Sequence, residues 1–444
     1  MQIELKRTLT MKNLVIFGMI TMSPLAPFQV FGAAAQASYG MVSLVYLIGA
    51  VLMLFTASSY ARFSKEFPYA GSVYSYVVKG FNPHVGFIAG WTILSDYILA
   101  PALMCLFSGI WLTGIFPNLD PKVLAIVFII ITAIINIRGV ELNAKVNTFL
   151  FVIQIIALVL FIAFAIKYVF IEGLGVGGFS LLPIYQPEHI DWNFVATATS
   201  LILLGFVGFD GISTLAEEVN EPEKVVGRAT VVALVTTAIM FLIQTYFACL
   251  AHNNYADLNP DMAMFDIAKE IGGQYFYIAM LLINVIAVGL AVTLNVQSSV
   301  SRILFAMGRD NIIPASNILK KLHPEYKTPI NAILLSVVIS LALILTLDLT
   351  TILMFVNFGA VTAFMILNLS VIVYFFFKKN ERGFKGILEH LLFPFMGLSV
   401  CAFVWSGFDR KTMIVGFSWI VIGAIVGFVK SKGYKNNGPN IDNM

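Results

Sequence analysis

Two carboxylates stand where charge is expensive. Asp96 and Asp210 each lie inside a long apolar stretch of the 444-residue chain, and an Asp near the centre of a membrane helix costs roughly 2.5–3.5 kcal/mol on insertion scales. Such a group persists where it has a partner or faces water. Asp96 sits beside Tyr97 and one turn before Pro101, while Asp210 follows Gly205-Phe206-Val207-Gly208-Phe209, whose two glycines permit a helix to break. Carboxylates among rings such as Trp91, Tyr97, Phe206 and Phe209, with few cations nearby, favour a positively charged ligand through ion pairing and attraction to ring faces. Structural roles compete with that reading. Asp96 can be protonated or hydrogen-bond a neighbouring helix, Asp210 can cap the second half of its own helix, and the rings can pack against lipid or other helices.

A second irregularity lies near the amino terminus, in Met22-Ser23-Pro24-Leu25-Ala26-Pro27-Phe28. Two prolines three residues apart remove amide donors and clash with the preceding turn, so a helix should unwind there. Irregular backbone inside a bilayer is tolerated only where protein or a water-filled cavity satisfies its polar groups. The two breaks are therefore expected to share a cavity, with Ser23, Pro24, Leu25 and Ala26 on one side and Asp96, Tyr97, Phe206, Gly208, Phe209 and Asp210 on the other. Broken helices at matching places in two halves of opposite topology form solute sites at the bilayer midplane. The alternative is a pair of packing kinks.

The elements that must position these residues follow from composition. Hydrophobic residues make up 59% of the chain and charged residues 11%, less than half of the roughly 25% usual for a soluble domain, so the apolar excess must face lipid. A net charge of +3 is too small for a partner bound by neutralising many phosphates, and nucleic acid is not expected. Between Lys12 and Arg62 there are 49 uncharged residues, enough for two crossings of about 20 residues each. Continuing this way places twelve spans near 11–36, 41–62, 84–113, 122–138, 146–168, 192–219, 229–250, 274–307, 329–347, 350–377, 389–408 and 412–430. With both termini cytoplasmic, only Lys122, Lys167, Lys269, Arg410 and Lys411 of the 27 Lys and Arg lie outside, as the positive-inside rule requires. The first apolar run lacks a small-residue cleavage site, so the amino terminus is expected to be retained. Cys105, Cys249 and Cys401 show no metal or disulfide spacing, and neither metal nor cofactor is expected.

The chain resembles the amino acid, polyamine and organocation (APC) superfamily of secondary transporters, and within it most resembles the bacterial putrescine importers. The likeness rests on Phe67-Pro68-Tyr69-Ala70-Gly71-Ser72-Val73-Tyr74-Ser75-Tyr76, Asn82-Pro83-His84-Val85-Gly86-Phe87 and Gly208-Phe209-Asp210 with Glu217-Glu218 following. It continues through Ser301-Arg302-Ile303-Leu304-Phe305-Ala306-Met307-Gly308-Arg309-Asp310, Thr328-Pro329-Ile330-Asn331 and Asn357-Phe358-Gly359-Ala360. The resemblance implies an all-α membrane protein of the leucine-transporter fold. Residues 1–444 would form a single transporter domain, with a first repeat over 11–168, an inverted second repeat over 192–377 and two added helices over 389–430. It also implies ion-coupled alternating access in a multi-pass protein of the cell membrane. Many members that take amino acids carry a Gly-x-Gly run at the first break, whose amides cradle a carboxylate. Here Ser23-Pro24-Leu25-Ala26-Pro27 stands instead, and proline has no amide to offer. Putrescine suits that loss, with cationic or neutral amino acids, taken up or exchanged, as the alternative.

Glu217 and Glu218 end the sixth span near Lys224 and Arg228. They read either as a solvated cluster, worth little, or as an inner gate. In related cationic amino acid carriers a lysine of the fifth span occupies a cation site; here Gln154 stands at the corresponding place and cannot titrate. A proton symporter would then use Asp96 or Asp210, and sodium bound by Asn295 and Ser298 is the other option. No HExxH or GxSxG constellation appears, so an enzyme is not expected. A non-transporting sensor on the same scaffold would normally add a soluble output domain.

Overall fold

The computed structural model describes residues 7–69, 72–190, 192–311, 313, 315–347 and 349–430. Ala70 and Gly71 of the motif above, and Lys6, Lys432 and Lys435 among the inner charges, lie outside them. The described chain is helical, with one isolated parallel bridge between Leu9 and Val219.

The first span is a bent pair. Helices α1 (Met11–Met22) and α2 (Pro27–Ala37) meet at 48°. Thr10 caps α1 in a reciprocal exchange with Asn13. The helix stops where Ser23 takes φ 59° and returns its amide to the Ile20 carbonyl at 2.9 Å. The two prolines act differently. Pro24 lies in the turn, whereas Pro27 starts α2, where a missing N–H costs nothing because no helical acceptor exists for it.

Then come α3 (Val42–Glu66), the short α4 (Ser72–Gly80), α5 (Pro83–Thr113), α6 (Pro121–Ile137) and α7 (Val140–Ile166). The sixth span is α8 (Trp192–Phe206), a left-handed Gly208 and a 3-10 segment over Phe209–Glu218. Helix α9 (Pro222–Ala251) is followed by α10 (Ala263–Ile286), which runs through a π turn into α11 (Thr293–Arg309). The chain ends with α12 (Ile330–Thr346), α13 (Leu349–Val371), α14 (Phe393–Ser406) and α15 (Arg410–Lys430).

Among the described residues nine helices are long and apolar enough to cross a membrane, or ten with the bent pair as one. The expected twelve is reached only by adding α6 and α12, each 17 residues, at the short end of what spans a bilayer. Several boundaries move. The fifth and seventh spans begin at Val140 and Pro222, earlier than expected, because the sequence reading cut each span at its charges; the eighth follows a kink at Gly273 (φ 78°), which separates residues 263–272 from the helix that begins, as expected, at 274. The first of those charges, Glu141 and Glu223, lie in first helical turns and face the positive end of the helix dipole. The expected loop between the second and third spans holds α4, a buried helix packed on α5 and α13.

Packing fits a lipid solvent. On α7, Phe149, Val152, Ile156 and Val159 are exposed at helical spacing, whereas α5 is buried along most of its length. Trp91 and Trp419 stack at 4.7 Å, and each indole N–H donates to the other's backbone carbonyl at 3.0 Å. This clamp joins α5 to α15.

Candidate functional site

Asp96 lies near the middle of α5, and the residue is 2% exposed. It lines a central cavity of about 20 Å³, together with Thr21 and Met22 at the end of α1, Gln29 on α2, Tyr97 and Gly208. That space holds roughly one or two waters. The rest of the wall is aliphatic, including Leu204, Val292 and Val356. Among the described residues Asp96 is the one charged group lining the cavity, and its carboxylate has no hydrogen-bond partner there.

The two broken spans meet beside this cavity. Gly208 has φ 115°, and a Cβ on it would lie 2.6 Å from Thr21 Cγ2, so this position needs glycine for both conformation and space. At Gly205 a Cβ would meet Ala26 Cβ at an ordinary 3.4 Å. The turn at the first break is held by two buried amides. Ser23 Oγ donates to Gln154 Oε1 at 3.3 Å, and Gln244 Nε2 donates to the Pro24 carbonyl at 2.8 Å.

The side chains are placed differently from the sequence expectation. Ser23, Pro24, Leu25 and Ala26 are buried in packing and do not line the cavity, which instead takes Thr21, Met22 and Gln29 from the flanking helical turns. Phe206 packs on Tyr46 and Phe241, Phe209 on Tyr60 and Phe364, and Trp91 on Trp419. Of the four rings only Tyr97 reaches the cavity. Gln154 is a strut for the first break.

Asp210 is fully buried and does not line the cavity. Its Oδ2 accepts from Tyr97 Oη at 2.7 Å, Tyr60 Oη at 3.3 Å and Ser72 Oγ at 3.4 Å. These donors come from α5, α3 and α4, so one carboxylate ties three elements to the sixth span. Its Oδ1 has no partner. Tyr97 therefore belongs to both places, lining the cavity beside Asp96 and donating to Asp210.

At the end of the bundle that carries the basic connections, the acidic pair finds partners the sequence reading did not assign. Glu218 pairs with Arg302, both side chains buried, and Arg309 grips Glu217 with two bonds of 3.1 Å. Arg302 and Arg309 are seven residues apart on α11 and so share a face. Lys224 bonds Glu221 at an exposed site instead, and Arg228 is exposed. The Glu218 carbonyl also accepts from the amides of Thr8 and Leu9. The signal that could have found this was in the Ser301–Asp310 motif, where two arginines two turns apart match two adjacent glutamates.

The reading also missed a buried amide ladder. Asn136 bonds Gln297 and the Leu294 carbonyl, Asn143 donates to Asn136, Asn147 to Asn143 and Asn295, and Asn295 to the Phe17 carbonyl at 3.1 Å. It ties α6, α7 and α11 to α1. Asn295 and Ser298, weighed as sodium ligands, are thus engaged, the latter with Arg302.

Comparison with known proteins places this geometry. The amino acid permease family pattern matches residues 13–440. The chain is 30% identical over its whole length, and over 98% of the relative, to the low-affinity putrescine importer PlaP of Escherichia coli strain K12. It is 25% identical to the branched-chain amino acid permease BcaP and to the methylthioribose transporter of Bacillus subtilis strain 168, over 97% of this chain and 94% of each relative. It is a multi-pass membrane transporter of amino acids or polyamines rather than an enzyme. With the pattern covering nearly every residue and the full-length likeness beside it, the chain belongs to the amino acid permease family of the APC superfamily.

Proposed function

We propose that the chain is a secondary active importer of a small organic cation, putrescine first, working by alternating access and driven by proton symport. Asp96 carries this reading: a buried carboxylate without a partner and, among the described residues, the one charged group on a cavity walled by Gly208 and by the turns on either side of the first break. Burying an unpaired charge is costly, and an ammonium ligand offsets that cost. No Lys, Arg or His among the described residues lines the cavity to receive a carboxylate. The Escherichia coli relative, named as a putrescine importer, supports the same ligand class. The cavity is too narrow for a diamine as it stands, so binding and release require the broken spans to separate.

In this reading Asp210 carries the coupling proton, since Gln154 cannot titrate. Residues 11–168 and 192–377 act as repeats of opposite topology within one domain, 389–430 is appended, and both termini face the cytoplasm of a cell with the protein in its plasma membrane. The pairs Glu217–Arg309 and Glu218–Arg302 form the inner gate. A second reading, an amino acid permease or exchanger, draws support from the branched-chain relative.

The test is uptake into liposomes holding the purified protein, with labelled putrescine and a panel of amino acids, with and without an inward proton or sodium gradient. Putrescine counts that rise with the proton gradient are expected. Equal counts with and without either gradient refute symport, uptake of branched-chain amino acids without putrescine favours the second reading, and no counts for any compound refute both.

A further inference from the structure

The cavity presents a second polar side chain with nothing to bond. Gln29, on α2, is 7% exposed and lines the same space as Asp96. Its backbone amide bonds the Ala26 carbonyl, but its side-chain amide has no partner among the described residues. Its polar atoms open onto the cavity, where a ligand or water can bond them, and the other polar groups on this wall are engaged. Thr21 Oγ1 bonds the Phe17 carbonyl at 2.7 Å, and the Tyr97 hydroxyl is committed to Asp210. Two unpartnered groups therefore remain, a carboxylate on α5 and an amide on α2, facing one cavity with aliphatic walls. A linear diamine has the complementary form: two ammonium ends joined by an apolar chain.

We propose that Gln29 is the specificity-determining residue for the second amine, its Oε1 accepting from the ammonium distal to the one held by Asp96. This rests on the reading of Asp96 as the first ammonium site. The two anchors stand on different elements, Asp96 on α5 and Gln29 on α2, the half of the first span that follows the break at Ser23–Ala26. A diamine consequently bridges α5 to the outer half of the first span and draws it in, whereas a monoamine engages α5 alone. Selection for diamines and closure over the ligand then share one contact.

The experiment measures binding of putrescine and of butylamine, a monoamine of the same carbon chain, to the full-length protein in lipid nanodiscs. Wild type is expected to prefer putrescine. Gln29→Leu should weaken putrescine roughly tenfold or more, the scale of a lost hydrogen bond to a charged group, and leave butylamine unchanged. Gln29→Glu should tighten putrescine. Retained butylamine binding shows that the Leu variant is folded, and Gln29→Met, closer in shape, repeats the measurement if it is not. Equal losses for both amines, or no loss for either, overturn the role of Gln29 while leaving Asp96 as the ammonium site. Wild type that binds neither amine overturns the Asp96 reading and this one with it, and that failure is visible before any variant is made.

Discussion

If the Glu218–Arg302 pair holds the inner end shut, removing one partner should open it. In Glu218→Gln the Arg302 guanidinium stays buried against Ser298 with its carboxylate gone. Stranding one member of a buried pair costs about 3–5 kcal/mol, and only the part absent from the open state shifts the balance between states. If a third of the lower figure is specific to the closed state, about 1 kcal/mol remains, roughly a fivefold change in population. Ala144 lines a cleft at this end with Asn143, Ser298 and Arg302, and the three native cysteines are buried. A cysteine placed at Ala144 should therefore react with a hydrophilic thiol reagent about fivefold faster in Glu218→Gln. Arg302→Met should act alike. Combining the two leaves no buried charge, which is often nearly neutral, so the double variant should label close to the parent rate. Lys224→Gln, at an exposed pair with both side chains over 60% accessible, should change nothing. Equal labelling rates throughout, or a double variant as fast as both single effects combined, would show that the pair does not hold the gate.

Other outcomes follow from the same geometry. Asp96→Asn should raise the KM for putrescine at least tenfold while the protein still reaches the membrane; unchanged uptake kinetics return Asp96 to a structural role. Asp210→Asn should slow uptake and remove its dependence on the proton gradient, and an intact gradient response would sink the coupling role. Gly208→Ala must hold φ 115° with a Cβ 2.6 Å from Thr21, so melting in detergent should fall by an amount equivalent to at least about 1–2 kcal/mol; an unchanged melting curve means the break relaxes freely. Outside the spans, burial pulls the His252 imidazole down, but its bonds to Asp257 at 2.8 Å and Glu270 at 2.9 Å outweigh this and hold its pKa above the ordinary value. A raised pKa gives stabilisation fully present below the ordinary value of about 6.5 and lost as pH rises through the folded one. Hydrogen exchange in the 252–262 connection should thus quicken at higher pH beyond the intrinsic rate, and His252→Gln should abolish the change; a flat corrected profile in wild type refutes it.

Hydropathy and the spacing of charges made the spans legible because lipid imposes one requirement on every outward face. The breaks were legible for a similar reason: Pro24 removes a donor wherever it lies, and Gly208 permits a backbone that other residues resist. What stayed hidden was direction around the helix. Nothing in Ser23-Pro24-Leu25-Ala26 says that these side chains pack inward while Met22, just before them, and Gln29, three residues beyond, face the cavity. Phe206 and Phe209 were read as ligand faces because they flank the break, yet flanking positions on a helix point to different neighbours. The arginines of α11 were hidden by distance along the chain, since Arg302 lies 84 residues from Glu218.

Asp96 and Asp210 looked equivalent in sequence, and packing separates them. Each begins with a penalty of roughly 2.5–3.5 kcal/mol for residing in the bilayer. Asp210 collects three hydroxyl donors from three elements, and hydrogen bonds to a charged group contribute about 1.5–3 kcal/mol each, so even the lower figure summed over its donors offsets the penalty within the fold. Tyr60, Ser72 and Tyr97 are thereby explained as structure. Asp96 has no such support: its hydroxyl-bearing neighbour Tyr97 donates elsewhere, and the side chain faces the cavity between the broken spans. A carboxylate whose cost the protein does not itself offset is one that a ligand must complete. That asymmetry assigns the ammonium to Asp96, and it fails if Asp96→Asn and Asp210→Asn prove indistinguishable in both ligand binding and thermal stability.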